Sequence, residues 1–437
     1  MSSVTIGLIG VGIFLILSLL GFPIASGMLL TGVVGFGVLT NFNAAVNLIA
    51  VDLFSSVTSY NMSVVAMFTW MGYLALHSGI GARLFDFAYK MIGHRPGGLA
   101  MASEMACAAF GAVCGSGPAT TATIGSIAFP EMKKHGYDPS LYTAAVASGG
   151  GLGLLIPPSM TAIVYGVATE QSIGRIFMAG IGAGILLMLL YMLVIYIQAK
   201  RNPALAPRGE KFTRKEKLAS VKGGLIEVGL IFLLSIGGLS VGWFTPTEGG
   251  AVAAFAMLIL VLAKRQLTWK KFIASILDTV KTMGMVLFIV ACATTFGRFI
   301  ALTQIPAAIA GFLTSLNAAP WVIMSIILVV YLILGCFIDS LPMIMLTIPI
   351  FYPVVTAIGY DPIWFGVIIT LVCCMGMITP PVGIDVYVAK NVSDGVPLTT
   401  IFRGIWPFLG ATMLCIIILM IFPDIALFIP NLLMGAQ

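Results

Sequence analysis

Residues 136–159 read GYDPSLYTAAVASGGGLGLLIPPS, and residues 359–382 read GYDPIWFGVIITLVCCMGMITPPV. The second is a degraded copy of the first in the same register: 359 − 136 and 380 − 157 both give 223, pairing Gly136 with Gly359 and Pro157 with Pro380. Upstream, Pro130 pairs with Pro353 at the same offset. Each copy is an apolar helix that reaches a Pro-Pro pair and then carries on apolar. In a lipid-embedded chain, two broken helices in corresponding halves point to a binding site near the bilayer midplane.

The lipid setting follows from composition. Of 437 residues, 59% are hydrophobic and 9% charged, against roughly 25% charged in soluble domains. Runs at 8–20, 180–197 and 401–421 approach or reach the ~20 apolar residues that span a bilayer. The chain therefore reads as an all-α polytopic membrane protein. Its first run lacks a basic n-region and a small-residue cleavage site, so it reads as a span rather than a cleaved signal. The net charge of +6 lies in short loops, where it speaks to topology and not to nucleic acid. The seven cysteines all fall in apolar segments without metal-type spacing, and an odd count makes no disulfide framework. His77, His94 and His135 offer no H-E-x-x-H pattern, and no G-x-x-x-x-G-K-[ST] loop exists. Both absences argue against an intramembrane metalloenzyme or an ATP-driven pump.

Taken in order, spans are expected at 5–20 and 23–39, and an interfacial helix at 42–58, where Asn47 and Asp52 interrupt the apolar run. A span at 63–78 and an amphipathic interfacial arm at 83–90 follow. Helix 99–112, the sequence CGSGPATTATIG and more helix to 132 form a re-entrant hairpin with its tip at 115–118. Gly115, Gly117 and Pro118 do not sit comfortably inside one helix, and each arm is short for a span. The first broken helix, a span at 173–198 and a basic loop at 200–222 complete the half. The second half offers spans at 223–239 and 249–262, an arm at 268–282, a span at 283–300 and an arm at 305–316. A hairpin with its tip at 335–342, the second broken helix and a last span at 400–421 end it. Each half thus holds five crossings, a re-entrant hairpin and a Pro-Pro-broken helix. The expected division is 1–199 as one repeat (scaffold 1–95, transport elements 96–172, span 173–199) and 200–222 as a cytoplasmic loop. The second repeat is 223–437 (scaffold 223–319, transport elements 320–395, span and tail 396–437).

Orientation comes from lysine and arginine in short loops. The loop at 200–222 holds seven of them besides Lys222 and is assigned to the cytoplasm. Counting crossings puts Arg95, Lys133, Lys134, Lys264, Arg265, Lys270 and Lys271 on the same side. The arm at 305–319, with no Lys or Arg, falls outside. Five crossings is an odd number, so the second copy is inverted, its hairpin enters from outside, and both chain ends lie outside.

Broken backbone in lipid must line a cavity or bind something, and each tip is expected to face the break of its own half. The carbonyls freed before Pro157 and Pro380, those of Ile156 and Thr379, lie at the negative ends of half-helices and attract a small cation. Ser116, Thr120, Thr121 and Thr123 add hydroxyls in the first half; Ser340, Thr379 and the Asp339 carboxylate add oxygens in the second. Such oxygen sets, with Ser116, Asp339 and Thr379 as the side-chain metal ligands, suit sodium better than zinc or copper. The outgoing half-helices begin near Ala119 and Pro342, and their free N–H groups can receive an anion. Thr121, Ser159 and Asp385 lie near the breaks as further substrate contacts. Charged residues in apolar spans are functional by default, which favours a role for Asp339 and Asp385. Thr121 and Thr123 have an equal claim to be hydroxyls bonded back to their own helix. Glu104 and Arg298 read as a structural pair or as interface-facing, His77 as a structural contact and Glu248 as a helix cap. Cation at one end and anion at the other is the geometry of sodium-coupled organic-anion uptake. A standalone ion-coupled carrier or channel of the same architecture remains the alternative.

The ordered motifs GSGPATTATIG, PEMKKHGYDP, GGGLGLLIPPSMTAIVYG, SIGRIFMAGI, WFTPTEGGAVAA, GCFIDSLPMIMLTIPIFYP and MGMITPPVGID cover nearly the whole chain. Together they resemble the large (DctM-like) permease subunit of tripartite ATP-independent periplasmic (TRAP) transporters. That resemblance implies an elevator-type, sodium-coupled importer of the bacterial inner membrane. It implies two partners, a small four-helix membrane subunit and a periplasmic substrate-binding protein, and carboxylates, sugar acids or sulfonates as substrates. Carried over by motif, Gly115, Ser116, Gly117 and Gly153 to Pro158 resemble one sodium site. Gly335, Asp339, Gly376, Thr379 and Pro380 resemble the other. Two departures stand out: Gly117-Pro118 replaces the second serine of the family's Gly-Ser-Ser tip, and Ala183-Gly184 replaces a Pro-Gly.

Overall fold

The computed structural model describes residues 2–315 and 319–435, and among them every regular element is a helix. Seven helices are long and apolar enough to cross a bilayer, or eight if the bent pair Phe42–Thr58 and Tyr60–Ser78 is one span. Large apolar side chains such as Leu189, Leu193, Leu230, Phe255 and Ile259 stand exposed along them. In water this would be a liability, but against lipid it has no cost. Trp243, Trp269 and Trp321 are exposed at or beside helix ends, the position amphipathic rings take at membrane–water interfaces.

Two hairpins and two broken helices occupy the middle. The first hairpin pairs Gly98–Cys114 with Gly117–Lys134, and the second pairs Pro320–Gly335 with Ser340–Ala357. The first broken helix runs Pro139–Leu155 and resumes at Met160–Thr169; the second runs Pro362–Gly376 and resumes at Ile384–Val392. Both Pro-Pro bonds are cis. Glycine sets the packing in each half. A Cβ built on Gly111 would lie 2.5 Å from the Gly153 Cα, and one on Gly376 would lie 2.7 Å from the Gly335 carbonyl carbon. Hairpin arm and broken helix therefore meet backbone against backbone, the close approach that small residues allow between membrane helices.

A second group of helices surrounds this centre: Ile24–Leu39 and Phe42–Thr58 pack on Trp269–Leu302, and Ser63–Ser78 packs on Pro246–Ala263. Here the structure departs from several expectations. The arm at 268–282 and the span at 283–300 are one 34-residue helix, Trp269–Leu302. Thr282-Met283-Gly284 contains no proline, and a lone glycine costs a helix only about 1 kcal/mol, so nothing ends it there. Asp52 does not face an interface. It is fully buried, with Arg298 Nη2 at 3.0 Å and the Thr295 hydroxyl at 3.0 Å, so the partner of Arg298 is Asp52 and not Glu104. The arm at 83–90 belongs to helix Ile80–Ile92, whose Leu84, Phe85 and Ala88 are buried in protein. The arm at 305–316 is seen as Ile305–Ser315, and its last residue lies outside the described residues. A helix not foreseen, Asp424–Met434, packs on Ile173–Arg201, where Arg175 donates to Asn431 Oδ1 at 2.9 Å.

The basic loop is shorter than expected because a helix begins at Arg214, capped reciprocally by Thr213 and Glu216. Residues 202–213 are also not a free loop. Leu205 O accepts from Asp138 N at 2.9 Å and Gly93 O accepts from Gly209 N at 2.9 Å. Lys217 Nζ reaches Met91 O at 3.4 Å. Glu227 is buried between Arg83 Nη2, at 2.8 Å, and Lys264. These bonds tie residues 202–217 to the segments around 91–93 and 138, and Glu227 ties Arg83 to Lys264.

Candidate ion and substrate site

Gly115 is the residue that turns the first hairpin, with φ +66°. Its Cβ would strike the Pro158 carbonyl, and its own carbonyl accepts from Met160 N at 3.5 Å. Only glycine fits both the left-handed backbone and that approach. In the second half the incoming arm meets its broken helix one turn earlier, Gly335 against Gly376. The first tip thus faces its own Pro-Pro break, and the second hairpin packs on the helix that leads to its own.

The two tips share one cavity of ≈ 230 Å³. Gly115, Ser116, Pro118 and Ala119 line it from the first hairpin, Asp339, Ser340 and Leu341 from the second. Leu154, Met160 and Thr161 come from the first break and Met377 from the second, while Thr69, Tyr73, Thr282 and Val286 close it from the outer helices. Both outgoing arms, Gly117–Lys134 and Ser340–Ala357, start at this cavity, so two helix N-termini open there, the first without a side-chain cap and the second capped at Ser340 N by Asp339. The lining holds one carboxylate and no Lys, Arg or His. An anion here is met by amide and hydroxyl donors.

The other expected site residues fall into three groups. Thr120 and Thr121 are fully buried, and among the described residues their hydroxyls have no hydrogen-bond partner. Thr120 Oγ1 faces Gly153, where a Cβ would lie 2.6 Å from it and 3.0 Å from Ser116 O. That cradle of a hydroxyl and a carbonyl in front of a glycine fits a small hard cation. Thr123, by contrast, donates to Ala119 O at 2.7 Å and Thr379 to Met375 O at 2.6 Å, hydroxyls bonded back to their own helix. Asp339 caps its helix, accepting from Ser340 N at 2.7 Å and Ser340 Oγ at 3.2 Å.

Ser159, Pro342, Thr121 and Asp385 do not line the cavity. Ser159 caps Met160–Thr169 and bonds the Thr161 hydroxyl at 2.6 Å. Thr161 is 3.3 Å from Leu154 O, which it satisfies across the break. Pro342 is buried inside Ser340–Ala357. Ile156 and Pro157 lean on the helix Ile173–Arg201, where Gly184 leaves room for the Ile156 side chain and Gly180 for the Leu155 carbonyl. Glu248 is a cap, as read, accepting from Thr245 N at 2.8 Å. His77 sits 3.7 Å from Asp278. Thr69, Tyr73 and Thr282 were not foreseen. Tyr73 and Thr282 bond each other at 2.8 Å on the cavity wall, and the polar pair Thr69 and Tyr73, four apart on one helix face, was the available signal.

With this geometry in view, the family model for the tripartite ATP-independent periplasmic transporter, DctM component, matches residues 11–425. The chain belongs to that family. It is 37% identical, over 89% of this chain and 90% of the relative, to the C4-dicarboxylate TRAP transporter large permease protein DctM of Pseudomonas aeruginosa. It is 32% identical to the sialic acid TRAP transporter large permease protein SiaM of Vibrio cholerae, over 95% and 96% of the two chains. These relatives are permeases, not enzymes. This permease is accordingly a multi-pass inner-membrane protein. The crystal structure of the YdaH transporter of Alcanivorax borkumensis superposes with a TM-score of 0.59 over 89% of each chain at 15% identity, a likeness of fold.

Proposed function

We propose that this permease imports a small organic anion, a carboxylate, sugar acid or sulfonate, driven by sodium. A periplasmic binding protein delivers the anion and a small four-helix membrane subunit completes the complex. The observation that carries the reading is the shared cavity: two helix N-termini and several hydroxyls converge on it without a basic residue. The candidate sodium positions flank it. In the first half they comprise Gly115, Ser116, Gly117, Thr120, Gly153, Ile156 and Pro157; in the second, Gly335, Asp339, Ser340, Gly376, Thr379 and Pro380. Sodium bound there places positive charge beside an anion held by amides, so each ligand favours the other electrostatically.

An inverted repeat fits the same reading. Cys374 Sγ donates to Gly151 O at 3.1 Å, and these two positions are 223 apart, as repeat-related residues on a pseudo-two-fold axis would be. The hairpins and broken helices form the moving group (96–172 and 320–395), and the cavity sits on its border with the outer helices at Thr69, Tyr73 and Thr282. An elevator movement would carry tips, ions and substrate past that wall as one body. The test is uptake of labelled anion into proteoliposomes holding the permease with both partners. Uptake should rise with an inward sodium gradient; a rate indifferent to sodium across the titration would refute the coupling.

A further inference from the structure

Building on the ion-coupled reading above, we propose that this permease holds a third sodium site between its two halves, with Asp385 as the charged ligand. Asp385 belongs to the first turn of Ile384–Val392, the outgoing part of the second broken helix. Its carboxylate is fully buried, and neither oxygen has a hydrogen-bond partner among the described residues. A buried ionised carboxylate left unpaired is strongly disfavoured and is relieved by a counter-charge or by a proton. The carboxylate reaches across to the first half. A Cβ built on Gly150 would lie 2.9 Å from Asp385 Oδ2 and 3.0 Å from Gly117 O, and would strike Thr121 Oγ1. One built on Gly117 would lie 3.2 Å from the same Oδ2 and 3.3 Å from Gly150 O.

Four oxygens therefore gather about these two glycines, Asp385 Oδ2, Thr121 Oγ1 and the carbonyls of Gly117 and Gly150, with Leu154 Cδ1 beside them. The Thr121 hydroxyl, fully buried, is itself without a partner. A helical carbonyl keeps a second lone pair after its ladder bond. One negative charge among neutral oxygens, with no nitrogen or sulfur in the set, suits a hard monovalent cation. The side-chain ligands of this site differ from those of the first tip pocket, which lies before Gly153 with Thr120 Oγ1 and Ser116 O, and Gly117 adjoins both. The site is separate from the cavity, which neither Asp385, Thr121 nor Gly150 lines. An ion there ties the second broken helix to the first hairpin tip, so occupancy couples the two halves.

The experiment is the sodium-to-substrate ratio, measured in proteoliposomes with both partners from the membrane potential at which net flux reverses. Asp385→Asn should lose one sodium per substrate while keeping its melting temperature in detergent. Thr121→Val, nearly isosteric, should keep the wild-type fold and raise the half-saturating sodium concentration several-fold. It also serves as the readout if Asp385→Asn fails to fold. Asp385→Glu should recover part of the sodium dependence. A ratio and sodium affinity unchanged in both Asp385→Asn and Thr121→Val would overturn the site. A variant that instead loses proton uptake at an unchanged sodium ratio would overturn it in favour of a proton carrier. Wild-type flux that ignores sodium altogether would defeat the coupling itself, an outcome distinct from either.

Discussion

The two hairpin tips share a cavity and are built with different chemistry. Ser116 and Asp339 occupy equivalent positions, since 339 − 116 = 223, and so do Gly117 and Ser340. The first tip leaves its helix start without a side-chain cap, and its buried hydroxyls, Thr120 and Thr121, have no partners. At the second, Asp339 caps its own helix and Thr379 bonds back to Met375 O. Counted by residue type, the second half looks richer in ligands. Counted by uncommitted oxygen atoms at the tips, the first tip has the open hydroxyls, and the second offers the Asp339 carboxylate and freed carbonyls. A ligand inventory drawn from residue types misses this because a hydroxyl already bonded within its helix has little left to offer an ion.

The largest effects should come from the glycines that seat each tip. An alanine Cβ at position 376 would lie 2.7 Å from backbone atoms of Gly335, which cannot yield without moving the hairpin. Gly376→Ala should cost about 1–3 kcal/mol by overpacking and be read as a lowered melting temperature with uptake lost. Gly153→Ala meets the Thr120 hydroxyl at 2.6 Å first, a side chain that can rotate away. It should spare the melting temperature more and damage sodium dependence instead. Equal melting losses in both variants would show that the two tips are seated alike.

Next in size is the pair of tip side chains. Removing a charged hydrogen-bonding group costs about 1.5–3 kcal/mol and a neutral one about 0.5–1.5. Asp339→Asn should therefore raise the half-saturating sodium concentration by roughly tenfold or more, and Ser116→Ala by a few-fold. Sodium titration of uptake separates them. The reverse order would mean that Asp339 serves chiefly as a cap.

The breaks were legible because they rest on local chemistry. Proline and glycine at 115–118, 157–158, 335 and 380–381 act on their own backbone, and the offset of 223 is visible by inspection. The longer-range features were not. Asp52 finds Arg298, and Arg83 and Lys264 find Glu227, only after helices far apart in sequence have packed. Asp52 in an apolar run is compatible with an interface until that partner is seen. The continuity of Trp269–Leu302 was missed for a different reason. Lys270, Lys271, Asp278 and Lys281 make its start polar, which in the sequence alone resembles the end of a span. A 34-residue helix at 1.5 Å per residue is roughly 50 Å long, so it outruns the ~30 Å hydrocarbon core and its polar start need not enter lipid.

The wall of the cavity should respond more weakly than the tips. Tyr73 and Thr282 bond each other across two outer helices, so Tyr73→Phe removes one neutral hydrogen bond and leaves the ring in place. The expected result is a two- to ten-fold change in KM for the anion, from about 0.5–1.5 kcal/mol, with sodium affinity held. A change in sodium affinity without one in KM would place Tyr73 with the ion pockets and not the substrate.

The smallest effect is the most discriminating, because it separates two threonines on one arm. Thr120 and Thr123 differ by three residues and share a residue type, yet Thr120 Oγ1 has no partner and Thr123 Oγ1 is bonded to Ala119 O. Valine keeps the β-branched shape and removes only the hydroxyl. At position 123 the lost bond is local, the Ala119 carbonyl keeps its place in the helix ladder, and half-burial leaves the site undemanding. Thr123→Val should therefore stay within about 0.5 kcal/mol of wild type and leave uptake and its sodium dependence alone. Thr120→Val removes an oxygen from the cradle before Gly153 and should weaken sodium dependence by a few-fold without touching the melting temperature. If the two variants behave alike, the unpaired hydroxyl at 120 is not a ligand, and the first tip works through its carbonyls alone.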